Sequence, residues 1–227
     1  MAALITGSSK GIGRAITQKM LDKNITVYGI SRTPSGIDSP LFHEYLMDLT
    51  DTKKLLNTLA VICSETTIDI LINNAGCGYY GLHEELNEAG IHEMIMTNFE
   101  VPTLITNYLL RGFKKNGGTI INISSVTAKN VNPHGAVYGA TKAALTSFSN
   151  SIFAEARKYG VRVAAIHPEM TDTDLYRNAD FEADRSDGCC LYPDTVADCV
   201  MNVINQDLGT AINDITINPQ FHRIKRK

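Results

Sequence analysis

Short aliphatic and β-branched runs alternate with helical stretches along nearly the whole chain. This alternation limits the fold more than any other feature. The runs are Ala2–Thr6, Ile25–Ile30, Leu46–Met47, Ile68–Ile72, Thr119–Ile123, Val161–Ile166 and Asp214–Ile217. Between them lie residues with helical spacing. Ile12–Lys23 carries Ile12, Ile16, Met20 and Leu21, and a helix capped by Asp51 or Thr52 carries Leu55, Leu56, Leu59 and Ile62. Ile91 to about Lys115 reads as two segments bending near Pro102. Tyr138–Tyr159 is a long helix, and Thr195–Asn205 is the last. Strands separated by helices build βαβ units. The expectation is one doubly wound α/β domain over residues 1–227, with a parallel sheet between two helical layers.

At 227 residues, such a domain buries roughly 70% of the surface its unfolded chain exposes, so it needs no disulfide or metal staple. Hydrophobic residues make up 44% and charged residues 20%, which excludes intrinsic disorder. A net charge of −3 argues against nucleic acid as a partner. The basic ending Arg223, Lys225, Arg226 and Lys227 reads as a solvated terminus. Five cysteines without C-x-x-C spacing read as reduced thiols in a cytoplasmic protein. The opening MAALITGSS has neither the basic region of a signal peptide nor a membrane-length apolar run. The histidines are scattered, and no metal site is expected.

In a parallel sheet, ligands bind beyond the carboxyl ends of the strands, and the informative residues fall there. Thr6-Gly7-Ser8-Ser9-Lys10-Gly11-Ile12-Gly13 follows the first run and opens the first helix. Its G-x-x-x-G-x-G spacing lets the backbone turn tightly beside a pyrophosphate at a helix N-terminus. After the second run stand Ser31 and Arg32, where a site for unphosphorylated ribose would carry an acid. Arg32, helped by Lys10, offers donors to a 2′-phosphate, so NADP(H) is expected over NAD(H). Tyr138 and Lys142 stand one turn apart on a helix. Ser125, thirteen residues before Tyr138, ends the fifth run. Ser124 should face the other way along the strand.

Thr6-to-Gly13, Asp48, Asn73-Asn74-Ala75-Gly76, Asn98, Ser125, Tyr138 and Lys142 together resemble the short-chain dehydrogenase/reductase family, in its single-domain branch. The resemblance spans about Ala2 to Thr173 and implies a Rossmann fold. It implies that Tyr138 is the acid/base, that Lys142 lowers its pKa and holds the nicotinamide ribose, and that Ser125 orients the substrate carbonyl. Asn98 would anchor a water in a proton relay. Cofactor contacts are implied for Gly7, Ser9, Lys10, Gly11, Ile12 and Gly13; for Ser31, Arg32, Asp48 and Leu49; for Asn74, Ala75 and Gly76; and for Pro168, Thr171 and Thr173, besides Tyr138 and Lys142. Two features depart from the family. Glu169 follows Pro168 where the family often has the Gly of a Pro-Gly pair, and the ending lacks the Gly-Gly of many tetrameric members. A homodimer is the minimum assembly expected, with a tetramer left open.

Segment Thr171–Gly188 lacks periodicity and is expected to be the substrate lid. It holds Asp172, Asp174, Asp180, Glu182, Asp184 and Asp187 against Arg177 and Arg185, a balance of −4 that would repel an acidic carrier protein. The leading expectation is therefore a reversible reductase of a small free ketone or aldehyde. A 3-oxoacyl-thioester reductase and a non-catalytic NADP-binding regulator are the alternatives. A regulator would not need the Asn98, Ser125, Tyr138 and Lys142 set. A sugar-nucleotide epimerase would need a further substrate domain, for which 227 residues leave little room.

Overall fold

Every central run is apolar on both faces, because helices cover both sides of the sheet it enters. The computed structural model describes residues 1–207 and 209–227. Its strands are β1 (Ala2–Thr6), β2 (Thr26–Ser31), β3 (Phe42–Leu46), β4 (Ile70–Asn73), β5 (Gly118–Ile123), β6 (Val161–Pro168) and β8 (Asp214–Ile217). They form one seven-stranded sheet, ordered β3-β2-β1-β4-β5-β6-β8, with every neighbouring pair parallel. The chain reverses direction across the sheet between β1 and β4, and the carboxyl ends there open a crevice.

The helices are α1 (Gly11–Asp22), α2 (Thr52–Glu65), α3 (Glu88–Ile95), α4 (Val101–Asn116), α5 (Ala136–Ala156) and α6 (Pro193–Ile204). Strand pleating divides the core in two. Leu4, Leu71 and Ile120 point to one face with Leu55, Leu59, Ile105 and Phe113. Ile5, Ile72 and Ile121 point to the other with Ile16, Met20, Val196 and Val200. Phe113 is wholly enclosed, and cutting it to alanine would cost about 3–5 kcal/mol.

Several boundaries differ from the expectation. The third strand is Phe42–Leu46, not Leu46–Met47. It is an edge strand whose His43 and Glu44 hide its apolar pattern. Asp51 caps α2, accepting from the Lys54 amide at 3.0 Å. The break expected at Pro102 falls earlier, where a π-turn at Met96–Glu100 separates α3 from α4. Pro102 itself sits in the first turn of α4, where a missing N–H costs little. Pro193 likewise starts α6 two residues before the expected Thr195.

The basic ending is exposed, as expected of a solvated terminus, but it is paired along its length. Ile224–Arg226 forms β9, antiparallel to β7 (Phe181–Ala183) within the acidic Thr171–Gly188 segment. Lys225 pairs with Glu182 at 3.1 Å. The Lys227 ammonium donates to the Tyr176 and Ala179 carbonyls at 2.8 and 3.0 Å. The segment's unpaired strand edge and its charge both select the tail, and sequence distance hid the match.

Candidate active site

A cleft of about 300 Å³ runs along the carboxyl ends of the strands, from the glycine loop to Tyr138. The loop's path requires its glycines. Gly7 and Gly11 have φ of +70° and +51°, and a Cβ on Gly13 would lie 2.1 Å from the Gly7 carbonyl oxygen. Gly13 therefore lies behind the loop and off the cleft wall, where it allows the close approach of helix and strand. Helix α1 begins with no side-chain cap and no acid in its first turn, so its amides and positive dipole end are left for an anion. These features fit a dinucleotide's phosphates.

Thr6 and Asn74 fix the loop from beneath. The Thr6 hydroxyl accepts from the Asn74 and Ala75 amides, each at 3.1 Å. The Asn74 side chain donates to the Thr6 and Gly7 carbonyls at 2.9 and 3.1 Å. Asn74 lines the cleft with Ala75 and Gly76, but its side-chain donors serve the loop. Ser9, Lys10 and Ile12 complete that part of the wall.

Ser31, Arg32, Asp48 and Leu49 line the outer part of the cleft. Asp48 accepts from the Thr50 amide and hydroxyl at 2.9 and 2.8 Å, and the amide bond most of all holds its carboxyl below the usual range. The two expected phosphate ligands both have acidic partners. Arg32 meets Glu93 at 3.2 Å, and Lys10 meets Asp174 at 3.7 Å. Both pairs are solvent-exposed to a degree that leaves each worth about 0–1 kcal/mol, so a doubly charged phosphate can outcompete them.

The inner end gathers Ser125, Tyr138 and Lys142. Ser125 leaves β5, and α5 presents Tyr138 and Lys142 one turn apart. The Lys142 ammonium donates to the Ile123 carbonyl at 2.8 Å and lies 5.8 Å from the centre of the Tyr138 ring. Burial pulls Lys142 down to about 8. Burial also pushes Tyr138 well above its ordinary value, Tyr176 adds to the shift, and the Ser125 hydroxyl opposes it. The expected depression of Tyr138 by Lys142 is not found: the Ser125 hydroxyl, not the ammonium, opposes burial. The Ser125 hydroxyl interacts with the Thr127 amide and hydroxyl at 3.2 and 3.0 Å. Ser124 also touches the cleft, but its hydroxyl is engaged with α5, at the Lys142 carbonyl and Thr146.

Asn98 lies fully buried in the π-turn, off the cleft wall. Its side chain accepts from the Cys77 amide at 2.9 Å and donates to the Cys77 carbonyl and the Thr141 hydroxyl at 2.9 and 3.1 Å. It ties the segment after β4 to α5. Gly76 completes this corner: a Cβ there would sit 3.3 Å from Asn98 Oδ1 and 3.5 Å from Lys142 Nζ.

Pro168, Thr171 and Thr173 form the far wall. Thr173 packs over Gly11 and caps the 3₁₀ turn Asp174–Asn178. Glu169 does not have positive φ, so no glycine is required there. Its carboxylate pairs with His222 of the tail. Sequence reasoning missed Tyr176, Arg177 and Asn178, which close the inner cleft. It also left open whether Tyr80 serves the pocket. The Tyr80 ring lies 5.6 Å from that of Tyr138 and 5.3 Å from that of Phe181. No periodic signal marks these residues, because they meet only through the fold of the Thr171–Gly188 segment.

The chain belongs to the short-chain dehydrogenase family, whose model matches residues 1–183. It is an oxidoreductase of a family that binds nicotinamide cofactors. It is 33% identical over 183 residues to the 3-oxoacyl-(acyl-carrier-protein) reductase of Vibrio harveyi, covering 76% of this chain and 74% of that protein. A serine dehydrogenase complexed with NADP+ shares the fold with a TM-score of 0.88 and 24% identity, covering 100% of both chains. A 4-hydroxyisoleucine dehydrogenase mutant complexed with NADH and succinate matches with a TM-score of 0.87 and 22% identity, covering 96% of this chain and 97% of that one.

Proposed function

We propose that the protein is an NADP(H)-dependent reductase of carbonyl compounds, reversible as an alcohol dehydrogenase. The observation that carries this reading is the meeting of Ser125, Tyr138 and Lys142 at the inner end of a cleft that begins at an uncapped helix N-terminus. Gly7, Gly11 and the first turn of α1 would hold the pyrophosphate, Asp48 and Leu49 would take the adenine, and Arg32 with Lys10 would take the 2′-phosphate. When bound, the cofactor supplies the hydride. Ser125 donates a hydrogen bond to the substrate oxygen. Tyr138, kept protonated by burial, delivers the proton to that oxygen. Lys142 stays mainly charged at neutral pH, so its field favours the tyrosinate left behind. Asn98 supports the relay by fixing the Cys77 backbone beside Gly76.

A 3-oxoacyl-thioester reductase is the second reading. The 33% identical relative bears that name. The tail's Lys225, paired with Glu182, offsets one unit of the segment's −4, which lessens its opposition to an acidic carrier. Oxidation of NADPH and of NADH, followed separately across ketones, aldehydes and acyl thioesters, decides between the readings. No turnover with any carbonyl would overturn both.

A further inference from the structure

We propose that His167 is a positioning residue for Ser125, holding that serine's main-chain carbonyl so that its hydroxyl keeps its place on the cleft wall. The proposal rests on the role given to Ser125 above.

His167 lies in β6 beside Thr216 of β8 and is fully buried. Its Nδ1 is 3.1 Å from the Ser125 carbonyl oxygen, and its Nε2 is 3.2 Å from Asp214 Oδ2. A carbonyl oxygen only accepts, so Nδ1 carries the proton in that bond. The other Asp214 oxygen takes the Lys129 ammonium at 2.6 Å, and the same ammonium reaches the Thr216 hydroxyl at 2.9 Å. Lys129 directly follows the 3₁₀ turn Val126–Ala128 that Ser125 opens.

The turn is therefore anchored on both sides. His167 holds it at Ser125 through Nδ1–H and Asp214 holds it at Lys129, while a ring protonated on both nitrogens would also donate from Nε2 to the same carboxylate. Burial depresses the His167 pKa most. The bond to the Ser125 carbonyl opposes that shift, Lys129 adds to it, and Asp214 opposes it. A ring protonated on Nδ1 alone still makes the bond to Ser125. An apolar side chain would fill this space without the desolvation cost of an imidazole, so packing alone does not explain the histidine.

Three variants separate positioning from packing. In His167→Asn the amide nitrogen overlies Nδ1 and keeps the Ser125 bond. In His167→Gln it overlies Nε2 and loses that bond, and His167→Leu keeps bulk alone. Turnover close to wild type is expected for Asn. A fall in kcat on the order of 10²-fold is expected for Gln and Leu, with NADPH affinity by fluorescence titration unchanged. A packing role would instead make Asn, the smallest, the worst and spare Leu; that ranking overturns the proposal. Retained cofactor binding and a cooperative thermal transition report folding, and if Leu fails to fold, the Asn and Gln pair decides. Ser125→Ala is assayed alongside. If it keeps full turnover, the assignment of Ser125 falls and the proposal with it. If it is inactive while Gln and Leu remain active, the positioning proposal fails alone.

Discussion

Arg32 at the end of β2 reaches across the cleft mouth to Glu93 of α3, with Nη1 and Oε1 3.2 Å apart. The same carboxylate accepts from the Tyr79 hydroxyl at 2.5 Å. The residue assigned to cofactor selection thus has a competitor in the protein. Arg32→Asp should erase the preference for NADPH, costing about 1.5–3 kcal/mol of NADPH recognition. Glu93→Gln should strengthen NADPH binding by up to about 1 kcal/mol and leave NADH unmoved. The ratio of kcat/KM for the two cofactors measures both. A wild type that prefers NADH would defeat the assignment.

Tyr138→Phe removes one hydroxyl and keeps the ring that packs on Tyr80. Turnover should fall by roughly 10²–10⁴-fold while NADPH still binds. Single-turnover rates beside a fluorescence titration test this. Near-normal turnover would move the proton donor elsewhere.

Lys142 is buried with a pKa drawn from 10.5 to about 8. Its folded-state pKa lies below its unfolded value, so the unfolded chain binds more protons between those pH values. Stability should therefore rise with pH from about 8 to 10.5, and the cost of burying the charge, at most about 3 kcal/mol, should be full below pH 8. Lys142→Met removes that cost but strands the Ile123 carbonyl. Relative to wild type, the variant should be most favoured at pH 7 and lose that standing by pH 10. Urea denaturation at both pH values reads the difference; a pH-independent gap would contradict the burial argument. The variant should lack turnover throughout.

The tail pairs with the Thr171–Gly188 segment, expected to be the substrate lid, through β9, the Lys225–Glu182 pair and the Lys227 contacts. Deleting residues 222–227 should weaken lid closure by about 1–2 kcal/mol, seen as a roughly 5–30-fold rise in KM for the carbonyl substrate. NADPH affinity should change little, since the glycine loop is untouched. An unchanged substrate KM would make the tail a bystander.

On α5, Ala144, Phe148, Ile152 and Phe153 remain half-buried in the single chain. Paired with α4 and α5 of a second copy across a two-fold axis, they would be covered. Light scattering at micromolar concentration should give at least twice the 24.8 kDa chain mass. A single-chain mass would count against the dimer.

The sequence by itself determined the sheet and the chemistry placed at its edge. Buried parallel strands must be apolar on both faces, so Ala2–Thr6, Ile68–Ile72 and Thr119–Ile123 stand out as runs. Backbone geometry at Gly7, Gly11 and Gly13 admits so few residues that their spacing marks the loop. Tyr138 and Lys142 share a helical face by local periodicity alone. Tertiary structure decided what depends on distant segments meeting. The half-exposed edge strand β3 has a weak apolar pattern, so its bounds came only from pairing with β2. Asn98 faces Cys77 and Thr141 because a π-turn rotates it inward, and no periodic rule encodes that turn. The tail paired with β7 across more than forty residues through an open strand edge and opposite charge. His167 gained a neighbour in Ser125 only because β5 and β6 lie side by side, forty-two positions apart in the chain.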